Sequence, residues 1–270
     1  MRILLPAGGS RRVLGILAAA VCLAAPPYGA AAQAAPPEKP PGTPLVRTGR
    51  LAAVECSEPP ITDGGIPRAR EYLTAAVACL NRSWSAHLAR AGLRFRAPRV
   101  RFYDEPVARV CGQRWPHADA FYCTEQGTLV FPLTGPWIED RTDLYPFKQA
   151  AHEYGHHLQS LTGIRAAYER RAARARGALL TELKRRYELQ ADCLAGVFLG
   201  SVRHSLPRTG RDWAALSEAI RRSGDDEADR LHGTVTHGDG ADRLRWFTRG
   251  YGALSPSACD TWSAKRSWVS

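Results

Sequence analysis

Several things are scarce in this chain, and each scarcity narrows its reading. No Cys-x-x-Cys pair occurs, which argues against a cysteine-held structural metal site. Beyond the first 25 residues no segment is apolar enough to span a bilayer, which takes about 20 consecutive apolar residues, so no transmembrane segment is expected in the mature chain. There is no internal repeat, and low complexity is confined to an Ala/Pro-rich leader. Acidic residues are outnumbered, with a formal net charge of +11 over 270 residues. Yet the excess is mostly dispersed arginine, densest at Arg165, Arg170, Arg171, Arg174 and Arg176, then Lys184, Arg185 and Arg186. Without a recognisable binding module this reads as a solvated helix face rather than a nucleic-acid surface, with electrostatic attraction to an anionic cell envelope as a secondary role.

The amino terminus points to export. Arg2, Arg11 and Arg12 precede an apolar run from Val13 to Ala25, and Ala30-x-Ala32 offers a cleavage site, so residues 1–32 read as a signal peptide. Ser10-Arg11-Arg12-Val13-Leu14 resembles a twin-arginine signal, but paired arginines are common in ordinary leaders and a Sec signal is preferred. Cys22 lies in the apolar run without the residues expected before a lipidated cysteine. Residues 33–50, with Pro36, Pro37, Pro40, Pro41 and Pro44, read as an extended linker, and residues 51–270 as one domain. Six cysteines remain: Cys56, Cys79, Cys111, Cys123, Cys193 and Cys259. An even count in an exported chain suggests three disulfides, for which 15 connectivities exist. Cys111 and Cys123 close a short loop and make a natural pair.

The most informative segment is His152-Glu153-Tyr154-Gly155-His156. Histidines at i and i+4 lie one above the other on a helix, so both rings can reach one metal ion, and Glu153 stands beside it as a general base. The helical context is consistent: Ala150, Ala151, Tyr154, Leu158 and Leu161 recur at helical spacing, Pro146 suits a first turn, and Gly163 a stop. His157 points about 100° away from His156 and has a structural or surface role. A tetrahedral catalytic zinc needs a third protein ligand. Glu188 is the choice, on a helix whose apolar stripe is Leu180, Leu183, Tyr187, Ala191, Leu194 and Phe198. Asp192, one turn on, is placed to accept the outer N–H of a liganding histidine.

Four blocks carry a resemblance: His152 through Gln159, Glu188-Leu189-Gln190-Ala191-Asp192-Cys193-Leu194-Ala195-Gly196, Thr236-His237-Gly238, and Arg243 through Tyr251 running on to Cys259-Asp260. In content and order they are similar to the putative neutral zinc metallopeptidase family of bacteria, over roughly residues 70–262. The resemblance implies a zincin-like fold with a His, His, Glu zinc site and one zinc per chain. It also implies disulfides Cys56–Cys79 and Cys193–Cys259. Where it implies two serines and then Gln or Glu after Thr236-His237-Gly238, this chain reads Asp239-Gly240-Ala241-Asp242, which would alter specificity or activity if that turn lines the cleft.

The expected fold is α+β and mainly helical, with a small sheet. Tyr72, Leu73, Ala76, Val77, Leu80, Trp84, Leu88 and Ala91 mark a long helix ended by Gly92, and helices are expected over 213–222 and 242–249. Val100 with Phe102, and Leu129 with Phe131 and Leu133, alternate as strands. The second lies shortly before the zinc helix, where the zincin-like resemblance implies an edge strand that pairs with extended substrate, and Pro132 agrees with an edge. The expected function is zinc-dependent hydrolysis of polypeptide, with His237 as the leading oxyanion partner and Tyr154, His232 and Tyr251 as alternatives. The rival readings are an exported zinc-containing envelope-binding protein without activity, and an amide hydrolase acting on peptidoglycan peptides.

Overall fold

The structure, a computed structural model, describes residues 43–59, 64–116, 118–139, 141–225 and 236–270. The signal peptide with Cys22, most of the Pro-rich segment, and His232 lie outside the described residues. The elements run α1 (Thr43–Val46), α2 (Gly65–Arg90), β1 (Arg99–Tyr103), β2 (Arg109–Val110), β3 (Gln113–Arg114), β4 (Phe121–Cys123), β5 (Thr128–Pro132), α3 (Tyr145–Leu161), α4 (Ile164–Arg174), α5 (Gly177–Val202), α6 (Gly210–Arg222) and α7 (Gly240–Ala253). The fold is therefore mainly helical α+β.

α2 forms where the apolar spacing placed it, and Tyr72, Leu73, Ala76, Val77, Leu80, Trp84 and Leu88 are buried along one face. It closes through Gly92 in the left-handed region (φ 68°), with the Leu93 N–H returning to the Leu88 carbonyl at 2.8 Å. α3 is unlike the others: every residue from Tyr145 to Gln159 is buried. A helix buried all round is normally apolar, yet this one carries Lys148, Gln149, His152, Glu153, His156, His157 and Gln159. Polar groups survive there only with partners or a ligand, and these residues form the candidate site.

α3 packs on α5, and α5 on α7. The approach is close because small residues meet backbone. A β-carbon on Gly155 would stand 3.0 Å from the Ala191 Cα, and one on Gly250 would fall inside the Cys193 carbonyl. Residues 43–50, read from sequence as linker, contribute α1 and a fully packed Leu45, and the Leu51 N–H donates to the Leu254 carbonyl at 2.7 Å. The cysteines pair as Cys56–Cys79, Cys111–Cys123 and Cys193–Cys259. The last ties α5 to the turn after α7.

The sheet order is β1-β5-β4, with β1 parallel and β4 antiparallel to β5. This corrects the assignment of the edge. β5, the strand over Leu129 to Leu133, is central, and the edge strand ahead of α3 is the shorter β4. Pro132 is tolerated because the Leu133 N–H donates to the Tyr103 carbonyl on the β1 side. By alternation the Pro132 nitrogen faces the β4 side, where pairing starts only at Phe121 opposite Val130, so no ladder bond is lost.

Candidate metal centre

Three elements meet at the middle of α3. α3 presents His152, Glu153 and His156; α5 presents Glu188 and Asp192; the turn before α7 presents His237. They line a cleft of about 240 Å³ whose opposite wall is the approach to β4 and the strand itself, at Ala118, Ala120, Phe121 and Tyr122.

The geometry is built around a carboxylate oxygen. Glu188 Oε2 lies 3.3 Å from His152 Nε2, 3.1 Å from His156 Nε2 and 3.5 Å from His237 Nε2. It is buried and has no hydrogen-bond partner. The far side of each ring explains why. His152 Nδ1 faces Asp192 Oδ1 at 2.8 Å, and a carboxylate only accepts, so the proton sits on Nδ1. His156 Nδ1 faces Gln159 Oε1 at 2.8 Å. That amide is oriented by its Nε2 donating to the Tyr187 carbonyl at 2.8 Å, so Nδ1 of His156 is again the donor. Both Nε2 lone pairs therefore point at a carboxylate oxygen. Two imidazole nitrogens and a carboxylate oxygen converging in this way call for a cation between them, a proton in the metal-free protein or a metal ion in its place, and imidazole and carboxylate suit zinc. By distance alone two overlapping donor groups close within 4.8 Å: His152, Glu153 and His156; and His152, Glu188 and His237. The anchored Nδ1 positions select His152, His156 and Glu188 as the set best held in place.

Electrostatics support the same centre. Burial raises the Glu153 carboxyl, opposed by the two histidines and reinforced by Glu188. Burial would also raise Glu188, but His156 and His237 outweigh it and hold the group well below its ordinary value. For His237, desolvation dominates and lowers the imidazole to about 4.

Sequence reasoning missed what surrounds Asp192. Lys148 Nζ is 2.7 Å away and fully buried, and Arg243 donates to it through Nε at 2.8 Å and Nη2 at 3.2 Å. Burial works against ionisation of Asp192, but Arg243, Lys148 and His152 hold it well below the carboxylate range. Burial lowers Lys148 to about 8, against the pull of Asp192. The signal for Lys148 was its spacing: 148, 152 and 156 share a helix face. Gln159 had none, because its role depends on the Tyr187 carbonyl of another helix.

His157 is structural: its Nε2 donates to the Arg96 carbonyl at 2.7 Å, which leaves Nδ1 to accept from the Tyr122 hydroxyl at 3.0 Å. The Tyr154 hydroxyl donates to Asn81 on α2 at 2.7 Å, and Tyr251 packs on Trp213 and Phe247; neither lines the cleft. Of the named oxyanion candidates among the described residues, His237 alone does. Its turn is held by Asp225, whose carboxylate accepts the His237 and Gly238 N–H groups at 3.0 and 2.7 Å. Asp239 caps α7, accepting from the Asp242 N–H at 2.7 Å, so the divergent Asp239-Gly240-Ala241-Asp242 stretch starts a helix and is not part of the cleft lining. Nor is the basic cluster uniformly solvated: Arg186 is buried and donates to the Thr261 and Ala264 carbonyls.

Among the described residues no helix is long and apolar enough to cross a membrane. The chain is similar to the "Uncharacterized protein YpfJ" of Escherichia coli (strain K12), 29% identical over 72% of this chain and 71% of that protein. It is also similar to the "Uncharacterized protein Rv2575" of Mycobacterium tuberculosis, 30% identical over 63% of this chain and 64% of that one. No solved structure matches it significantly. Residues 62–262 match the family described as "Putative neutral zinc metallopeptidase", and with most of its length accounted for in this way the chain belongs to that family.

Proposed function

We propose that this protein is an exported metallopeptidase that holds one zinc per chain through His152, His156 and Glu188 and hydrolyses peptide bonds with Glu153 as general base. The observation that carries the reading is the buried Glu188 Oε2, without a hydrogen bond and faced by two imidazole nitrogens whose opposite edges are tied down. Bound there, zinc would supply a Lewis acid that acidifies water and polarises a carbonyl.

The chain's own residues do the rest. Asp192 and Gln159 fix the two histidine rings by accepting from Nδ1. Glu153, beside the ligands and held in a more basic state by burial, takes the proton from attacking water and passes it to the leaving amine nitrogen. β4 offers a free edge along the cleft, on which an extended polypeptide can add as a strand. His237, which lines the same cleft as Glu153, is the donor to the developing oxyanion. Export rests on the leader over residues 1–32 and on three disulfides, which persist outside the reducing cytosol. The substrate is polypeptide rather than nucleic acid.

The test is hydrolysis of a denatured protein by purified mature wild type, by Glu153→Gln, and by chelator-treated wild type. Glu153→Gln should keep its zinc and lose about 10²–10⁴-fold in rate. Full hydrolysis by a zinc-loaded Glu153→Gln protein would refute the mechanism.

One observation favours a second reading. His237 Nε2 is 3.5 Å from Glu188 Oε2, near enough to serve as a fourth ligand and close the site into a structural one. His237→Ala separates the two. In a peptidase it retains zinc and loses about 10²–10³-fold in kcat; in a closed structural site it loses zinc affinity instead.

A further inference from the structure

At the end of the cleft nearest α4, the ring of Tyr187 stacks on the ligand-set imidazole of His156 at 4.9 Å, and the ring of Tyr168 stacks on Tyr187 at 4.7 Å. The Arg165 guanidinium lies against this pair, 5.5 Å from the Tyr187 centroid and 5.7 Å from that of Tyr168. Its Nε donates to Glu169 at 2.6 Å, and the guanidinium also interacts with the Tyr187 hydroxyl without a well-formed hydrogen bond that would satisfy it. Arg165 is also the one cleft-lining residue, among those described, with a permanent positive charge.

A second observation lies beside it. The Tyr187 hydroxyl is buried and makes no well-formed hydrogen bond, although the Arg165 guanidinium interacts with it. An unsatisfied buried hydroxyl is costly unless something arrives to meet it. Glu153 and Glu188 also line the cleft and repel an anion; with zinc bound, the metal and Arg165 are the two cationic places for an anionic group on a peptide, and the Arg165 variants separate them.

We infer that Arg165 and Tyr187 form a carboxylate-binding subsite, so that the enzyme selects peptides presenting a carboxylate close to the cleaved bond. This rests on the peptidase reading of the neighbouring centre. A guanidinium fork matches a carboxylate bidentately, and stacking on two tyrosines keeps it from swinging into solvent. At about 3.3 Å per residue of extended chain, the ring distances put the carboxylate within about three residues of the scissile bond. The carboxylate comes from an Asp or Glu side chain or from the peptide's own C-terminus.

The experiment measures binding apart from hydrolysis. Calorimetric titration of zinc-loaded Glu153→Gln protein uses four alanine-rich pentapeptides: free or amidated at the C-terminus, each with a central Glu or Gln. We expect at least tenfold tighter binding for the peptides that present the recognised carboxylate. The free-acid against amide comparison reports a terminal carboxylate, and the Glu against Gln comparison a side chain. Arg165→Gln should erase the difference, Arg165→Lys should retain part of it, and Tyr187→Phe should reduce it. Arg165→Gln is expected to melt within a few degrees of its parent, because its exposed partner Glu169 stays solvated. Equal binding of all four peptides, or a preference unchanged by Arg165→Gln, would overturn the subsite. A retained carboxylate preference in a protein that hydrolyses no peptide would leave the subsite standing and refute the peptidase reading instead. Hydrolysis without the preference would do the reverse.

Discussion

Asp192 accepts from His152 and neutralises two buried cations, Lys148 and Arg243, so the orientation of the His152 ring and the stability of the core depend on the same side chain. Removing its charge leaves both cations buried without a counter-charge. Asp192→Asn should therefore cost about 3–5 kcal/mol in denaturant unfolding, the range for breaking a buried pair from one side. In protein that still folds, chelator competition should show zinc affinity lower by about 10–100-fold. A variant with unchanged stability and zinc affinity would contradict the role drawn for Asp192. At this scale the sequence is informative where chemistry is written in local spacing, as for His152, Glu153 and His156, or Glu188 and Asp192. It is silent where the partner comes from a distant element. Arg243 is 51 residues from Asp192, and nothing in its local pattern marks it as the cation that meets that carboxylate.

The helices that carry the site are set by how closely they approach. Gly250 on α7 lies against the Cys193 carbonyl on α5, leaving no room for a methyl group. Gly250→Ala should push the two helices apart and destabilise the fold by about 1–3 kcal/mol, read as a lower denaturant midpoint. Because the Arg243 contact to Asp192 crosses the same interface, zinc affinity should fall with it. An unchanged midpoint would show that the helices are not in the contact described. The helices themselves are legible in the sequence because apolar spacing, Gly92 and Gly163 mark their faces and ends. Strand order is not. β5 reads as an edge from its place before the zinc helix, with Pro132 in agreement, whereas the real edge, β4, is three residues long and too short to show an alternating pattern. Pro132 is accommodated in a central strand only because β4 ends before reaching it.

For the molecule as a whole, zinc binding and protonation should compete. Burial by itself would lower His156, but the Glu188 carboxylate, helped by Glu153 and Gln159, raises it from 6.5 to about 9 in the zinc-free protein. Folded, zinc-free protein thus holds a proton that the unfolded chain releases between those values. The stabilisation is fully present below pH 6.5 and is lost as pH rises through 9. Zinc must displace that proton, so its apparent affinity should climb by about tenfold per pH unit across the same window, as a pH series of chelator competitions would show. A flat profile would contradict the displacement of a proton from His156 by zinc. The most direct test of the centre itself is X-ray absorption at the zinc edge on purified mature protein. It should show one zinc per chain coordinated by two imidazoles and lighter oxygen donors, with no sulfur. Three imidazoles would place His237 in a closed structural site, and the absence of bound zinc would contradict the centre altogether.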